Sequence, residues 1–165
     1  MSLFFSKIGE KISKLPQIRV SRLVQAQVNE LVVKHLGYTN LNQVRDRLDG
    51  QSFLDKNSLR IYAKVAVLEH LKIPFNIADL NLIEEDENVV FHNNKEFQIK
   101  VVPFGELPVF AGLNFPNDVI IVYQKDTLVF TLLGVLNQEL LMDVKNYRKV
   151  QEGFQFINID LAIRL

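Results

Sequence analysis

Two polar residues on one predicted strand form the sharpest chemical pattern in the chain. Gln98 and Lys100 are separated by one residue inside the alternating segment 96–103, and Asp86 lies upstream in the acidic run 84–87. Side chains two residues apart on a strand point to the same face. Carboxylate and amide oxygens can ligate a divalent ion, and a neighbouring lysine can stabilise charge on a phosphate. The pattern therefore predicts metal-assisted cleavage of a phosphodiester bond as one function.

In this hypothesis Asp86 and Gln98 are metal ligands and Lys100 stabilises the scissile phosphate. The arrangement corresponds to nucleases of the PD-(D/E)xK type, but three features depart from their pattern. No Pro-Asp pair precedes, and Asp86 is one of four acids in a predicted turn. The alternation also turns Phe97 and Ile99 inward, which leaves Gln98 and Lys100 on the solvated face of a half-buried strand. The nuclease is the alternative prediction.

The long connection 103–116 contains the second candidate site. It carries many apolar side chains for a loop, and long loops in compact domains are often functional. We predict a docking surface for another protein or for a second copy of this chain. The residues of this surface are Phe104, Leu107, Phe110 and Phe115. In the competing interpretation, the loop folds back over one face of the sheet and covers the core.

The composition argues against other chemistries. The 165 residues include no Cys, so disulfides, thiolate nucleophiles and zinc knuckles are excluded. The histidines His35, His70 and His92 lack the spacing of metal ligands, and the common Gly-rich phosphate loops and serine-nucleophile motifs are missing. We expect no resident metal, no cofactor and a non-enzymatic function.

Charge is divided unevenly along the chain. Residues 1–75 hold 12 Lys and Arg against 6 Asp and Glu, a net +6, and residues 76–165 hold 7 against 13, a net −6. The two halves attract each other or steer a charged partner. The basic residues are too dispersed to give a strong nucleic-acid signal. With neither a membrane-spanning stretch nor a secretory signal in the sequence, we expect a cytoplasmic protein.

The apolar periodicity changes from helical to alternating near Phe75. This order predicts a single α+β domain over 1–165, in which N-terminal helices (1–75) precede a mainly antiparallel sheet of about five or six strands (76–165). Helices are predicted at 3–15, at 20–36, from Asn40 to Asp49-Gly50, and at 59–71 after an Asn57-Ser58 cap. Strands are predicted at 77–83, 88–92, 96–103, 118–124, 127–134 and 154–163.

Local signals add turns and a core to this plan. Asn93-Asn94 and Lys125-Asp126 are predicted to join antiparallel strands. The amphipathic segment 3–15 is predicted to pack on the domain, with weak membrane contact as the alternative. The predicted core is Val24, Leu31, Ile61, Val65, Leu68, Val90, Phe97, Ile99, Ile121, Phe130 and Leu132.

Several segments of the last two thirds of the chain occur in a recognisable order. They are an Ala/Val-rich helix at 63–67, its Leu-rich end at 68–73, a charged strand at 98–102, a Pro-led strand at 116–123 and a Leu-Leu-Gly strand at 131–135. In this order they resemble a cyanobacterial family catalogued as a domain of unknown function, although that family's Cys-Arg-Pro is missing here. The resemblance implies an α+β fold and a bacterial cytoplasmic origin, and it implies no activity.

Overall fold

The computed structural model describes residues 9–35, 48–76 and 88–165. Its helices are α1 (Arg22–His35), α2 (Leu48–His70) and α3 (Gln138–Met142), with a short helical segment at 9–13. Its strands are β1 (Gln17–Arg19), β2 (Val89–His92), β3 (Lys95–Pro103), β4 (Val109–Phe110), β5 (Asp118–Asp126), β6 (Val129–Leu136), β7 (Tyr147–Val150) and β8 (Gly153–Phe156). Two 3₁₀ turns lie at Val144–Asn146 and Ile159–Leu161.

Five of the described strands form a mixed sheet in the order β1-β6-β5-β3-β2. All neighbouring pairs are antiparallel except β3 and β5, which run parallel with Ile99 opposite Ile120. Parallel neighbours cannot be joined by a tight turn, and this is why a long connection separates these two strands. The predicted α+β fold with a mainly antiparallel sheet is confirmed. The helices are not all N-terminal, however, because α3 follows β6.

A second, smaller sheet has the order β4-β8-β7. The sequence predicted one strand at 154–163, but β8 ends at Phe156 and the chain then enters a 3₁₀ turn. Ile163 returns as an isolated bridge to Val135 on β6. Strands β4 and β7 were not predicted, and neither was β1 of the main sheet, which lies in the half predicted to be helical. Strands of two to four residues are too short to show an alternating pattern, so the sequence gives little sign of this sheet.

Helix α2 is continuous through two positions where the sequence predicted boundaries. The predicted stop at Asp49-Gly50 and the predicted new start at Asn57-Ser58 are both wrong, since the helix runs unbroken from Leu48 to His70. Asn57 and Ser58 are buried inside the helix and do not cap it. A helix can absorb one glycine at about 1 kcal/mol when tertiary packing compensates. Here the segment from Ile61 to Leu68 is almost wholly buried.

The C-terminal end of α2 is set by two backbone hydrogen bonds. Lys72 adopts a left-handed conformation with φ 57°. Its N–H donates to the Glu69 carbonyl at 3.1 Å, and the Ile73 N–H donates to the Leu68 carbonyl at 2.9 Å. This pair of bonds defines a Schellman motif, in which a left-handed residue satisfies the last carbonyls of a helix. Pro74 follows and prevents the helix from continuing.

The two predicted turns have different outcomes. Asn93 and Asn94 have φ of 51° and 62° and connect the paired residues His92 and Lys95, so the predicted Asn-Asn hairpin is confirmed. The β5–β6 hairpin also exists, but its turn is Thr127-Leu128, because β5 continues through Asp126, which pairs with Val129. The prediction of Lys125-Asp126 as that turn is two residues too early.

The main sheet is buried on both faces. One apolar cluster joins α1 and α2 to one face, and most of the predicted core belongs to it, with Leu31 only partly buried at its margin. A second cluster packs Ile121 and the rest of the opposite face against α3, β8 and the connection between β3 and β5. Ile12 of the N-terminal helical segment is buried in this second cluster. The second apolar layer explains why β6 is buried at every position.

Some predictions fall outside the described residues. These are the strand at 77–83, the helix start at Asn40 and the first part of segment 3–15. Within the described ranges, no helix combines the length and the apolar character needed to cross a membrane.

Candidate functional site

Alternation along β3 determines where its polar side chains point. Phe97 and Ile99 are buried in the cluster on the helical face of the sheet, as predicted. Gln98 and Lys100 therefore share the opposite face, together with Val102, which is buried in the second cluster. The expectation that this face is simply solvated is wrong, since the second layer covers part of it and both polar residues are half-buried.

A cleft of about 690 Å³ opens where the second layer stops short of β3. Its walls come from α2, β3, β4 with the loop that follows it, the start of β5 and the turn between β7 and β8. The lining residues are Arg60, Gln98, Lys100, Val109, Phe110, Ala111, Gly112, Asn114, Phe115, Val119 and Glu152. This volume lies within the range of small-molecule binding pockets.

The polar groups of the cleft are two cations, two amides and one carboxylate. Arg60 belongs to α2 and also lines an adjoining cleft of about 290 Å³ that contains Lys56. Lys100 extends from β3, with its Nζ 5.4 Å from the centroid of the Phe110 ring. Guanidinium and ammonium groups bind carboxylates and phosphates. The amides of Gln98 and Asn114 add donors and acceptors beside them.

Aromatic rings form the apolar wall of the cleft. The rings of Phe110 and Phe115 meet edge to face with centroids 4.9 Å apart, and the centroid of the Tyr147 ring lies 6.5 Å from that of Phe110, also edge to face. The Tyr147 hydroxyl donates to the Leu141 carbonyl at 2.7 Å. Burial raises the pKa of this phenol to about 12. The Gln138 side chain donates to the Phe115 carbonyl at 2.8 Å, so α3 anchors the loop that carries this wall.

Glu152 reaches the cleft from the tight turn between β7 and β8. The following residue, Gly153, has φ +144° and lies directly against the backbone of Phe110. A Cβ atom at this position would overlap the Phe110 carbonyl oxygen, so only glycine permits this approach. The absence of a side chain at residue 153 thereby positions the Glu152 turn beside the cleft.

The structure brings together residues from both predicted sites. Gln98 and Lys100 of the nuclease hypothesis and Phe110 and Phe115 of the docking hypothesis line the same cleft. Asp86 lies outside the described residues.

The other two predicted docking residues lie elsewhere. Leu107 is buried in the second cluster. Phe104 is 38% exposed, and the Lys125 Nζ lies 6.0 Å from the centroid of its ring. The buried positions of Leu107, Phe110 and Phe115 show that the loop covers the sheet face, as the competing interpretation expected.

Sequence reasoning missed Arg60, Asn114 and Glu152. Arg60 is one of several charged residues along α2, so the sequence alone gives no reason to single it out. Glu152 precedes Gly153 in a hairpin whose strands are too short to recognise. Residues so distant in the chain become neighbours only through tertiary structure, which no local pattern reports.

Metal ligation finds no support in the part of the chain that the structure describes. Within it, no three His, Asp or Glu side chains are grouped closely enough to hold a metal ion. The buried carboxylate Asp118 accepts from the Gln138 N–H at 3.0 Å and pairs with Lys95. These bonds give Asp118 a structural role at the start of α3.

Comparison with protein-family models, with curated proteins and with solved structures finds no match to this chain. The resemblance to a cyanobacterial domain of unknown function therefore stays a prediction.

Proposed function

We propose that this protein is a non-enzymatic interaction module and that the cleft receives a segment of its partner, either another protein or a second copy of this chain. One observation carries the proposal. Arg60 and Lys100, which come from different elements, converge with the amides of Gln98 and Asn114 beside an aromatic wall. A concave site with apolar walls and a few convergent polar groups is the usual form of a recognition site.

The charges of the cleft narrow the chemistry of the partner. Arg60 and Lys100 favour a segment that carries a carboxylate or phosphate group, because such groups form charge-assisted hydrogen bonds with both cations. The aromatic wall of Phe110 and Phe115 favours an apolar group next to that anion. We place this interaction in a bacterial cytoplasm, and the lack of Cys suits such a reducing compartment.

The decisive variant reverses both cations of the cleft. We expect Arg60→Glu/Lys100→Glu to lose the partner that the wild-type chain retains in affinity purification from its native host. The matched control is Arg164→Glu/Lys149→Glu, which changes the net charge equally at two exposed residues outside the cleft. The partner identified in this way is then purified, and its Kd is measured for all three proteins.

A loss of binding counts only if the variant is folded, so circular dichroism and thermal unfolding accompany the Kd. We expect the control to bind within about twofold of wild type and the cleft variant at least tenfold more weakly. Self-association is tested by light scattering of the same three proteins. Equal binding by the folded cleft variant and the control would contradict the proposal.

A metal-dependent nuclease is the second candidate. It is supported by the position of Gln98 and Lys100, which face one cleft together with Arg60. Lys100 would stabilise the scissile phosphate and Gln98 would contribute a metal ligand, with Asp86 as the predicted second ligand. The test is incubation of plasmid DNA with the wild-type chain and with Lys100→Gln in the presence of Mg²⁺ or Mn²⁺. Intact DNA with the wild-type chain would remove this candidate.

A further inference from the structure

We infer that the segment bound in the cleft carries an acidic and a basic side chain close together, a specificity that rests on the proposed interaction function. Three charged residues carry the inference. Arg60 and Lys100 are cationic, and Glu152 is the single carboxylate in the cleft lining. A partner with one sign of charge is complementary to only part of this set.

The two signs of charge come from different walls. Arg60 and Lys100 belong to the helix and the main sheet, whereas Glu152 belongs to the turn of the small sheet. Glu152 takes part in neither of two ion pairs seen elsewhere in the described chain, Lys11 with Asp160 and Lys95 with Asp118. The Glu152 carboxylate is exposed and lines the same cleft as the two cations.

The backbone turn that carries Glu152 is held in place by its neighbours. Gly153 packs against the backbone of Phe110, and β8 pairs with β4 through Phe110 opposite Phe154. The turn that carries Glu152 is thus fixed to the strand that supplies the aromatic wall. A carboxylate on this turn repels the anions of an acidic segment and attracts a cation placed next to them.

These charges predict how one substitution changes specificity. Glu152→Gln removes the charge and keeps the shape of the side chain. We expect this substitution to lower the affinity for a mixed acidic-basic peptide and to raise the affinity for an all-acidic one. Each change should be about two- to fivefold, the size typical of an exposed ion pair. Glu139→Gln is the matched control, because Glu139 is an exposed carboxylate outside the cleft.

The test uses a random peptide display library as its probe. The library is panned separately against wild type, Glu152→Gln and Glu139→Gln. Peptides that also bind the folded Arg60→Glu/Lys100→Glu variant are discarded, because they bind outside the cleft. Selected peptides are then synthesised and their affinities are measured by fluorescence anisotropy. We expect wild type and Glu139→Gln to select peptides with an acid and a base within a few residues, and Glu152→Gln to select peptides with the acid alone.

Two results would overturn the inference. One is selection by wild type of all-acidic or uncharged peptides, and the other is an unchanged requirement for a base in Glu152→Gln. If no peptide is enriched over the Arg60/Lys100 variant while partner capture still depends on those two residues, the inference fails and the interaction function stands. If partner capture does not depend on Arg60 and Lys100 either, the inference and the proposed interaction function both fail.

Discussion

Gly153 is the residue on which the shape of the cleft depends most directly. Its φ of +144° is accessible mainly to glycine, and a Cβ atom there would overlap the Phe110 carbonyl oxygen. We expect Gly153→Ala to lower the free energy of unfolding by about 2–4 kcal/mol, because the β8 hairpin must move away from β4. Urea denaturation measures this loss.

Gly112→Ala is the control for that measurement. Gly112 lies shortly after β4, in the connection between β3 and β5, but a Cβ atom there meets nothing within 4 Å. Its effect should stay within about 0.5 kcal/mol. Equal stability of the two variants would show that the close approach of Gly153 to Phe110 does not limit which residue the protein tolerates at position 153.

The buried tyrosines predict how stability depends on alkaline pH. Burial raises the pKa of Tyr147 to about 12 and also raises the pKa of Tyr123, whose hydroxyl donates to the Glu106 carbonyl at 3.0 Å. An unfolded phenol has a pKa of about 10. Because the unfolded chain releases these protons first, stability is fully present below about pH 10 and is lost as pH rises towards 12.

This dependence is measured as the urea midpoint between pH 8 and pH 12. The wild-type midpoint should be constant up to about pH 9 and then fall. Tyr147→Phe should be about 1 kcal/mol less stable at pH 8, since it loses the bond to Leu141, and its alkaline fall should be shallower. A wild-type midpoint that is unchanged at pH 11 would contradict the raised pKa of these tyrosines. An equally steep fall in Tyr147→Phe would contradict a contribution from Tyr147.

At the scale of elements, the backbone at the end of α2 is strained at one residue, and a substitution can relieve this strain. Lys72 occupies a left-handed position with φ 57°, where a Cβ atom is unfavourable and glycine is preferred. We expect Lys72→Gly to stabilise the protein by about 0.5–1 kcal/mol, a rise of roughly 2–3 °C in Tm. Lys72→Ala keeps the Cβ atom and should bring no such gain. A lower Tm for the glycine variant than for the alanine variant would refute this account of the helix end.

The elements also show which signals in the sequence are informative. Asn93-Asn94 predicted its hairpin because the conformational preference of asparagine is local to the turn. The shared face of Gln98 and Lys100 followed from strand geometry alone. By contrast, Asn57-Ser58 resembled a helix cap, but the two residues are themselves buried within the helix and the segment that follows, Ile61 to Leu68, packs in the core. Local preference was overridden by packing.

The second layer could not be predicted, and the cleft depends on it. Strand β4 has two residues, and it pairs with β8 across a long stretch of chain. The alternation of β3 correctly separated its two faces, yet nothing in that strand indicates what covers the polar face. The sequence therefore predicted Lys100 and Phe110 as members of two separate sites, and only the tertiary structure makes them neighbours.

For the molecule as a whole, the main sheet lies between two different layers. Helices α1 and α2 cover one face, and the small sheet with α3 covers the other. The cleft lies at the border of the second layer, where it combines a cation of the basic half, Arg60, with a carboxylate of the acidic half, Glu152.

Site-specific photo-cross-linking tests the central claim, that the partner segment lies in this cleft. The cross-linker p-benzoyl-phenylalanine replaces Asn114, an exposed residue of the cleft wall, or Lys145, an exposed residue outside its lining. We predict a covalent adduct with the captured partner from position 114, none from position 145, and loss of the adduct in the folded Arg60→Glu/Lys100→Glu background. Adducts of equal yield from both positions, or an adduct from position 114 that persists in that background, would contradict the claim.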